Sequence, residues 1–106
     1  CLMVLRTAFE KAGGFDEHYF LFNEDVDLCR AIHQNGFKVM YFPSAKITHH
    51  ISTSNSKVPV DIIIKRHLGM SHYYGKHHGK NFATRTIVNI AISLRCLSQL
   101  AFNIFK

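Results

Sequence analysis

Tryptophan is absent from this sequence of 106 residues, and only two prolines and three cysteines are present. Cys1, Cys29 and Cys96 are odd in number and widely spaced, and no C-x-x-C pair occurs. This spacing excludes a disulfide framework and a zinc knuckle, and it predicts reduced thiols, as in a cytoplasmic protein. The start of the sequence also shows no charged segment followed by an apolar stretch and a small-residue cleavage site, so a signal peptide is not predicted there.

Acidic residues are missing from the later part of the sequence. No Asp or Glu follows Asp61, whereas seven Lys or Arg residues do. Up to Asp61 the charges nearly balance, with six basic against seven acidic residues, so the net charge of +6 arises in the last part. Such asymmetry predicts acidic chemistry in the first part and a surface that meets polyanions, such as an anionic membrane, in the second.

The composition is that of a packed domain, because 47% of the residues are hydrophobic and 19% are charged. The apolar run 2–5 directly follows Cys1 and is typical of the end of a buried strand, so we expect the chain to be a fragment of a longer protein. Further strands are predicted at 37–42 and 46–50. Helices are predicted at 8–12, from a cap at Asn23 to a stop at Gly36, at about 60–74 and at about 82–105. The expected fold class is α/β.

Glycines and carboxylates cluster in the first part of the sequence. The run G-G-F-D-E occupies 13–17, the run E-D-V-D occupies 24–27, and His49 precedes Ser54 by five residues. Two glycines permit a backbone that closes around a ligand, and a carboxylate at a helix start beside such a loop can act as a general base. The same residue types also serve as ordinary helix caps and stops, and their spacing alone leaves both interpretations open.

Two apparent metal motifs fail on helix geometry. Asp25 and Asp27 would point about 200° apart on a helix, so the two carboxylates cannot hold one ion. His67, His72 and His77 recur every five residues, which turns each by about 140° relative to the one before. A shared histidine metal site is therefore not predicted.

The combined motifs resemble the carboxyl-terminal part of family 2 glycosyltransferases, and they look most like the rhamnosyltransferase-like branch that builds bacterial cell-surface polysaccharide. They are G-G-F-D-E, E-D-V-D-L-C-R, a glycine, a strand ending in proline, and H-x-x-x-x-S. The resemblance covers about residues 1–80. It implies part of a GT-A fold with short strands, a catalytic-face helix and two carboxyl-terminal helices. An acceptor-side part that carries the base, 1–58, would precede a basic amphipathic helical extension, 59–106.

The resemblance also implies a function and a site. The function is that of an inverting glycosyltransferase, which moves a sugar, with rhamnose as the candidate, from a nucleotide-sugar donor to a polysaccharide or lipid-linked acceptor. A divalent metal, Mg²⁺ or Mn²⁺, would assist in the full-length protein, and the 106 residues alone are expected to be inactive. The implied residues are Asp25 as catalytic base, Asp16, Glu17 and Glu24 as acceptor-binding residues, His49 as metal ligand, and Ser54, Lys76 and His77 as diphosphate or lipid contacts.

Apolar residues recur at steps of three and four through the last predicted helix. Its length approaches that of a membrane span, but four polar residues interrupt it, Asn89, Arg95, Gln99 and Asn103. We therefore predict an interfacial helix or one docked on a second protomer, in a homo-oligomer peripheral to the inner face of the cell membrane.

Two alternatives without catalysis follow from the basic part, a membrane-surface anchor and a nucleic-acid-binding module. Nucleic acid is not expected as a partner because the basic residues are spread along the chain and form no compact arginine-rich motif.

Overall fold

Four helices make up the regular structure of the chain. The computed structural model describes residues 1–48 and 58–105. The first compact unit combines Cys1–Asp16 with the described part of Asp25–Asn55, and the second combines Glu17–Glu24 with the described part of Ser56–Lys106. The helices are α1 (Arg6–Ala12), α2 (Glu24–Gln34), α3 (Val60–His78) and α4 (Phe82–Phe105).

The predicted α/β fold, a part of a GT-A fold with short strands, is wrong, because residues 1–48 and 58–105 contain helices and no strand. The segments 2–5 and 37–42 are non-helical and largely exposed; Met3 is 96% exposed and Tyr41 is 89% exposed. A strand forms only where a neighbouring strand completes its backbone hydrogen bonds, and no described segment offers that ladder. The described residues of the predicted strand 46–50 also form no strand, and its last two residues lie outside the described part.

The core of the first unit lies between α1 and α2. Gly13 ends α1 with a φ of 84°, and its N–H donates to the carbonyl of Glu10. Glycine adopts this left-handed conformation without steric cost, which lets the chain turn sharply after α1. The buried core residues are Ala8, Leu28 and Ile32, against which Val4, Phe9, Ala12 and Phe37 pack.

The second unit contains a hairpin of α3 and α4. Between the helices, the hydroxyl of Ser71 donates to Oδ1 of Asn89 at 2.8 Å. Near the end of α4, Nδ2 of Asn103 donates to the carbonyl of Val58 at 2.8 Å, and the N–H of Val58 donates to Oδ1 of Asn103 at 3.2 Å. These bonds hold Asn89 against α3 and Asn103 against Val58, and the same side of α4 also carries the apolar Ile92.

Helix α4 begins at an ordinary side-chain cap and is exposed or half-buried along its length. Oδ1 of Asn81 accepts hydrogen bonds from the N–H groups of Ala83 at 2.9 Å and Thr84 at 3.4 Å. No residue of α4 whose side chain is described is buried. By length and composition alone, Phe82–Ile104 qualifies as a helix that could cross a membrane.

Candidate active site

The carboxylates at the start of α2 occupy three different environments. Asp25 is exposed, Glu24 is half-buried, and Asp27 is buried with 4% of its surface exposed. Successive residues on a helix are turned by about 100°, so Asp25 and Asp27 face solvent and interior respectively. They do not form a chelating pair. The burial of Asp27 was not predicted, because charge at a helix start ordinarily indicates an exposed residue.

Asp25, the predicted catalytic base, presents its carboxylate to solvent. Its Oδ1 accepts a hydrogen bond from the N–H of Val26 at 2.8 Å. Within the described part of the chain, this is the sole hydrogen bond or ion pair of that carboxylate. An accessible carboxylate with a second oxygen available meets the first requirement of a general base, which is to reach the proton it removes.

An aromatic loop precedes α2. The segment Glu17–Glu24, which comprises this loop and the first residue of α2, belongs to the second unit with α3. Tyr19 is buried and makes an edge-to-face contact with the ring of His72, with the ring centroids 5.0 Å apart. His18 stacks on the same imidazole at 5.1 Å. The loop is therefore anchored on α3 by the ring contacts of His18 and Tyr19 with His72.

Two cations of α3 contact the later rings of the aromatic loop. Nζ of Lys65 lies 3.6 Å from the ring centroid of Phe20. The guanidinium carbon of Arg66 lies 4.6 Å from the ring centroid of Phe22. Both distances are those of cation–π contacts. Together the two contacts hold the backbone of the loop in place just before Glu24, the first residue of α2.

Gly69 allows the aromatic loop to come close to α3. A Cβ atom at this position would lie 3.1 Å from Nδ2 of Asn23, which is tighter than side chains normally pack. The absence of a side chain at Gly69 thus sets the position of the residue that immediately precedes α2.

The two residues before α2 have an unusual backbone. Phe22 has a φ of 66° and Asn23 a φ of 71°. Left-handed backbone is rare for a bulky side chain, and strain of this kind concentrates at functional sites. The expected ordinary cap at Asn23 is wrong in geometry, because a capping residue has extended backbone. The sequence held one signal for this turn, since asparagine tolerates the left-handed region better than most residues.

Two polar atoms at this junction are shielded from solvent without a partner. Among the described residues, neither Nδ2 of Asn23 nor Oε2 of Glu24 makes a hydrogen bond. Nδ2 is a donor and the carboxylate oxygen is an acceptor, and buried groups of both kinds are normally satisfied. A hydroxyl group, which donates and accepts, has the chemistry to pair with either one.

The other predicted acceptor-binding residues, Asp16 and Glu17, fall in different units. Asp16 is half-buried and follows Gly13 and Gly14, whose φ angles of 84° and 75° are left-handed. Glu17 is exposed at the start of the aromatic loop. The acceptor-binding role of both residues stays a prediction.

The predicted diphosphate or lipid contacts diverge in the structure. Lys76 lines an open cleft of about 530 Å³ between α3 and α4, and Arg85 lines the same cleft. The ring of His77 instead packs on that of Tyr73, with the centroids 4.8 Å apart. The cleft suits an anion, because it gathers two cations in a part of the sequence without carboxylates. His49 and Ser54 lie outside the described residues, so their predicted roles are untested.

His67 is a buried histidine for which the sequence predicted no individual role. Its Nδ1 donates to the carbonyl of Ile63 at 2.7 Å, and its Nε2 is buried without a partner among the described residues. His72 contacts Tyr19, and His77 packs on a different tyrosine. His67, His72 and His77 therefore have separate surroundings.

Known proteins are similar to this chain over part of its length. The N-acetylglucosaminyl-diphospho-decaprenol L-rhamnosyltransferase of Mycobacterium tuberculosis is 42% identical over 67 residues, which are 63% of this chain and 22% of that protein. Rhamnosyltransferase WbbL of Escherichia coli K12 is 32% identical over 54 residues, 51% of this chain and 20% of that protein. The O-antigen biosynthesis protein RfbC of Myxococcus xanthus is 33% identical over 54 residues, 51% of this chain and 4% of that protein.

These similarities confirm the predicted resemblance to rhamnosyltransferase-like glycosyltransferases. The chain spans about a fifth of the length of the mycobacterial and Escherichia coli relatives, at 22% and 20%. No protein-family model matches the chain, and no solved structure does either.

Proposed function

We propose that this chain is the acceptor-side part of an inverting rhamnosyltransferase that moves rhamnose from a nucleotide-sugar to a lipid-linked acceptor. The observation that carries this proposal is the 42% identity over 67 residues to a mycobacterial protein named as an L-rhamnosyltransferase of a diphospho-decaprenol acceptor. The exposed carboxylate of Asp25 is a chemically suitable base. The proposal concerns a longer protein that contains the chain, because residues 1–48 and 58–105 offer no identified site for the donor.

Asp25 is the proposed base of the reaction. Its carboxylate takes the proton of an acceptor hydroxyl, and the hydroxyl oxygen attacks the anomeric carbon of the donor. The bond from that carbon to the nucleoside diphosphate breaks, the diphosphate leaves with the electron pair, and the anomeric configuration inverts. The exposure of Asp25 and its single local hydrogen bond support this role, because the carboxylate is accessible to an acceptor.

Glu24 and Asn23 are proposed to hold the acceptor. The unpartnered Oε2 of Glu24 would accept a hydrogen bond from an acceptor hydroxyl, and Nδ2 of Asn23 would donate to one. The aromatic loop supports this arrangement, since its contacts with α3 fix the backbone just before these two residues. Binding energy from such positioning contributes to rate by holding the reacting oxygen near its target.

The described residues do not by themselves fit a divalent metal at the start of α2. Asp25 and Asp27 lie on opposite sides of the helix, and His49 lies outside the described residues. We therefore derive no step through Mg²⁺ or Mn²⁺. A metal requirement of the longer protein, with His49 as one ligand, remains a proposal of its own.

The proposed location is the cytoplasmic face of the cell membrane, where a lipid-linked acceptor is accessible. Lys76, in its open cleft with Arg85, is proposed to contact the acceptor diphosphate. Ser54 and His77 are proposed as further diphosphate or lipid contacts on the strength of the motif resemblance alone. The expected homo-oligomer likewise stays a prediction.

The test replaces Asp25 by Asn in the longer protein that contains this chain. Transfer of labelled rhamnose from a nucleoside diphosphate-rhamnose to a polyprenyl-diphosphate N-acetylglucosamine acceptor should fall by about 100-fold or more, because the variant cannot take the proton. Donor binding, measured by calorimetry, should change little. Asp61→Asn is the matched control, since Asp61 is an exposed carboxylate that pairs with Lys65 through Oδ2 at 3.2 Å.

Turnover close to that of the unchanged protein in Asp25→Asn would refute the base assignment. Rhamnose transfer by the 106 residues alone would refute the expectation that the isolated chain is inactive. If the unchanged longer protein transfers no rhamnose to the lipid-linked acceptor, the proposed function itself is wrong.

A further inference from the structure

Helix α4 carries an apolar stripe that nothing covers in the described structure. The outward stripe consists of Ile87, Ile90, Leu94, Leu97 and Ile104, each 55–68% exposed. Their spacing of three, four, three and seven residues places them along one side of the helix. A continuous apolar face on an otherwise charged chain marks a surface that binds something.

We infer that the outward stripe docks on an anionic lipid surface, with α4 lying in the plane of the membrane interface. This inference deepens the proposed membrane location by naming the surface responsible. It rests on the geometry of α4 and the charge of the second unit, and it does not depend on rhamnose transfer.

The polar residues that interrupt α4 in sequence are directed away from the outward stripe. Asn89 accepts a hydrogen bond from Ser71 of α3, and Asn103 bonds the backbone of Val58 in both directions. The side of α4 that faces α3 also carries apolar residues, since Ile92 and Cys96 line a cavity there together with Leu68 of α3. What resembles an interrupted membrane span in sequence is therefore an apolar helix whose asparagines are bonded on the inner side and whose outward stripe contains neither of them. The outward stripe is thus an apolar surface that a helix in the membrane interface can insert while its inner side keeps its bonds.

The charge of the chain favours lipid over a second copy as the occupant. From Ile62 to Lys106 the sequence has seven basic residues and no acidic one. Two copies joined along the outward stripe would bring two such segments together, and like charges oppose that association. An anionic lipid surface attracts them instead.

The bonds to the rest of the hairpin argue for an in-plane helix over a spanning one. At two separated points, Asn89 connects α4 to Ser71 of α3 and Asn103 connects it to Val58, just before α3. A helix crossing the bilayer would either break these bonds in an environment without water or draw α3 into the hydrocarbon, including Lys65 and Arg66. A helix in the interface keeps both bonds and leaves the charged residues in water.

The absence of tryptophan makes a direct experiment available. Leu94→Trp places a single fluorescent reporter on the outward stripe, and Met40→Trp places one on an exposed apolar position of the first unit. Vesicles of phosphatidylcholine with 30% phosphatidylglycerol should shift the Leu94→Trp emission to shorter wavelength, whereas Met40→Trp should not respond. Vesicles of phosphatidylcholine alone should bind more weakly, and added salt should weaken binding to the anionic vesicles.

Two substitutions measure the contribution of the stripe. Leu94→Glu should lower co-sedimentation of the chain with the anionic vesicles by about tenfold or more, because a carboxylate on the inserted face is costly. Met40→Glu adds the same charge at an exposed apolar residue elsewhere and should leave partitioning within about twofold of the unchanged chain. Both positions are solvent-exposed, so circular dichroism should show unchanged helix content.

The depth of insertion separates the two membrane geometries. Quenching by brominated lipids should reach Ile87→Trp, Leu94→Trp and Ile104→Trp, all on the outward stripe, to a similar extent if α4 lies in the interface. Strong quenching at Leu94 and weak quenching at both ends would show a spanning helix and overturn the in-plane orientation. Failure to bind anionic vesicles would overturn the inference. An oligomer that Leu94→Glu dissociates, in a chain without lipid binding, would overturn it in favour of a second copy.

Discussion

Helices α2 and α4 have the same kind of apolar spacing and opposite surroundings. In α2 the stripe of Leu28 and Ile32 is buried, and α1 supplies Ala8 against it. In α4 the outward stripe faces solvent, and the side turned to α3 mixes the hydrogen-bonded Asn89 with the apolar Ile92. Apolar periodicity identified both helices, but it carries no information about which neighbour covers the stripe. That information lies in the charges and hydrogen bonds of the opposite side.

The same two helices differ in how much the fold depends on them. Loss of a buried side chain removes contacts that have no replacement, whereas an exposed side chain loses little when it is shortened. Stability measurements on matched leucines therefore test the comparison directly.

Leu28→Ala is expected to give the largest effect on stability. Leu28 is 1% exposed and belongs to the small core of the first unit, so its truncation should lower the free energy of unfolding by about 2–5 kcal/mol. Leu94→Ala makes the same chemical change on α4 and should cost less than about 0.5 kcal/mol. Urea unfolding followed by circular dichroism measures both.

Equal losses from the two leucine variants would contradict the distinction between the helices, because they would mean that the outward stripe is covered in the free chain. A large loss from Leu28→Ala with none from Leu94→Ala would leave the stripe available for a partner.

Asn103→Ala tests the polar side of α4 and should have an intermediate effect. The variant removes two hydrogen bonds to the backbone of Val58, each contributing about 0.5–1.5 kcal/mol, and alanine returns up to about 0.7 kcal/mol in helix propensity. We expect a net loss of about 1 kcal/mol in unfolding free energy, with faster amide exchange at Val58. Ser98→Ala is the control, because Ser98 is exposed and bonds only the carbonyl of Arg95 in its own helix. A loss as large in Ser98→Ala would show that helix composition, not the bond to Val58, sets the effect.

The helices could be predicted from the sequence because their signals are local. Each signal acts within a turn or two of the chain. They are Gly13 directly after α1, the apolar residues at steps of three and four in α4, and Pro59 directly before α3. The strands were wrong for the opposite reason, since the run 37–42 has strand-like residues but its pairing depends on a distant segment. The resemblance to rhamnosyltransferases could also be recognised from the sequence, because it rested on several sequence motifs that occur together.

The finer structure of the site could not be predicted in the same way. The burial of Asp27 depends on what packs beside α2, and the positive φ of Phe22 depends on contacts of the aromatic loop with Arg66 and Gly69 of α3. These are pairings between residues far apart in sequence. A single sequence shows the partners without showing that they meet.

The starts of α2 and α4 give the smallest and most discriminating comparison, because asparagine precedes both helices in different conformations. Asn81 caps α4 through its side chain, whereas Asn23 has left-handed backbone and an unpartnered Nδ2. Asn81→Gly should therefore destabilise the chain by a few tenths of a kcal/mol, since the cap is lost. Asn23→Gly should stabilise it by a similar few tenths, because glycine adopts positive φ freely and the unsatisfied donor is removed. Opposite signs in parallel urea titrations are the expected result, and a loss of stability in both variants would show that Asn23 acts as an ordinary cap.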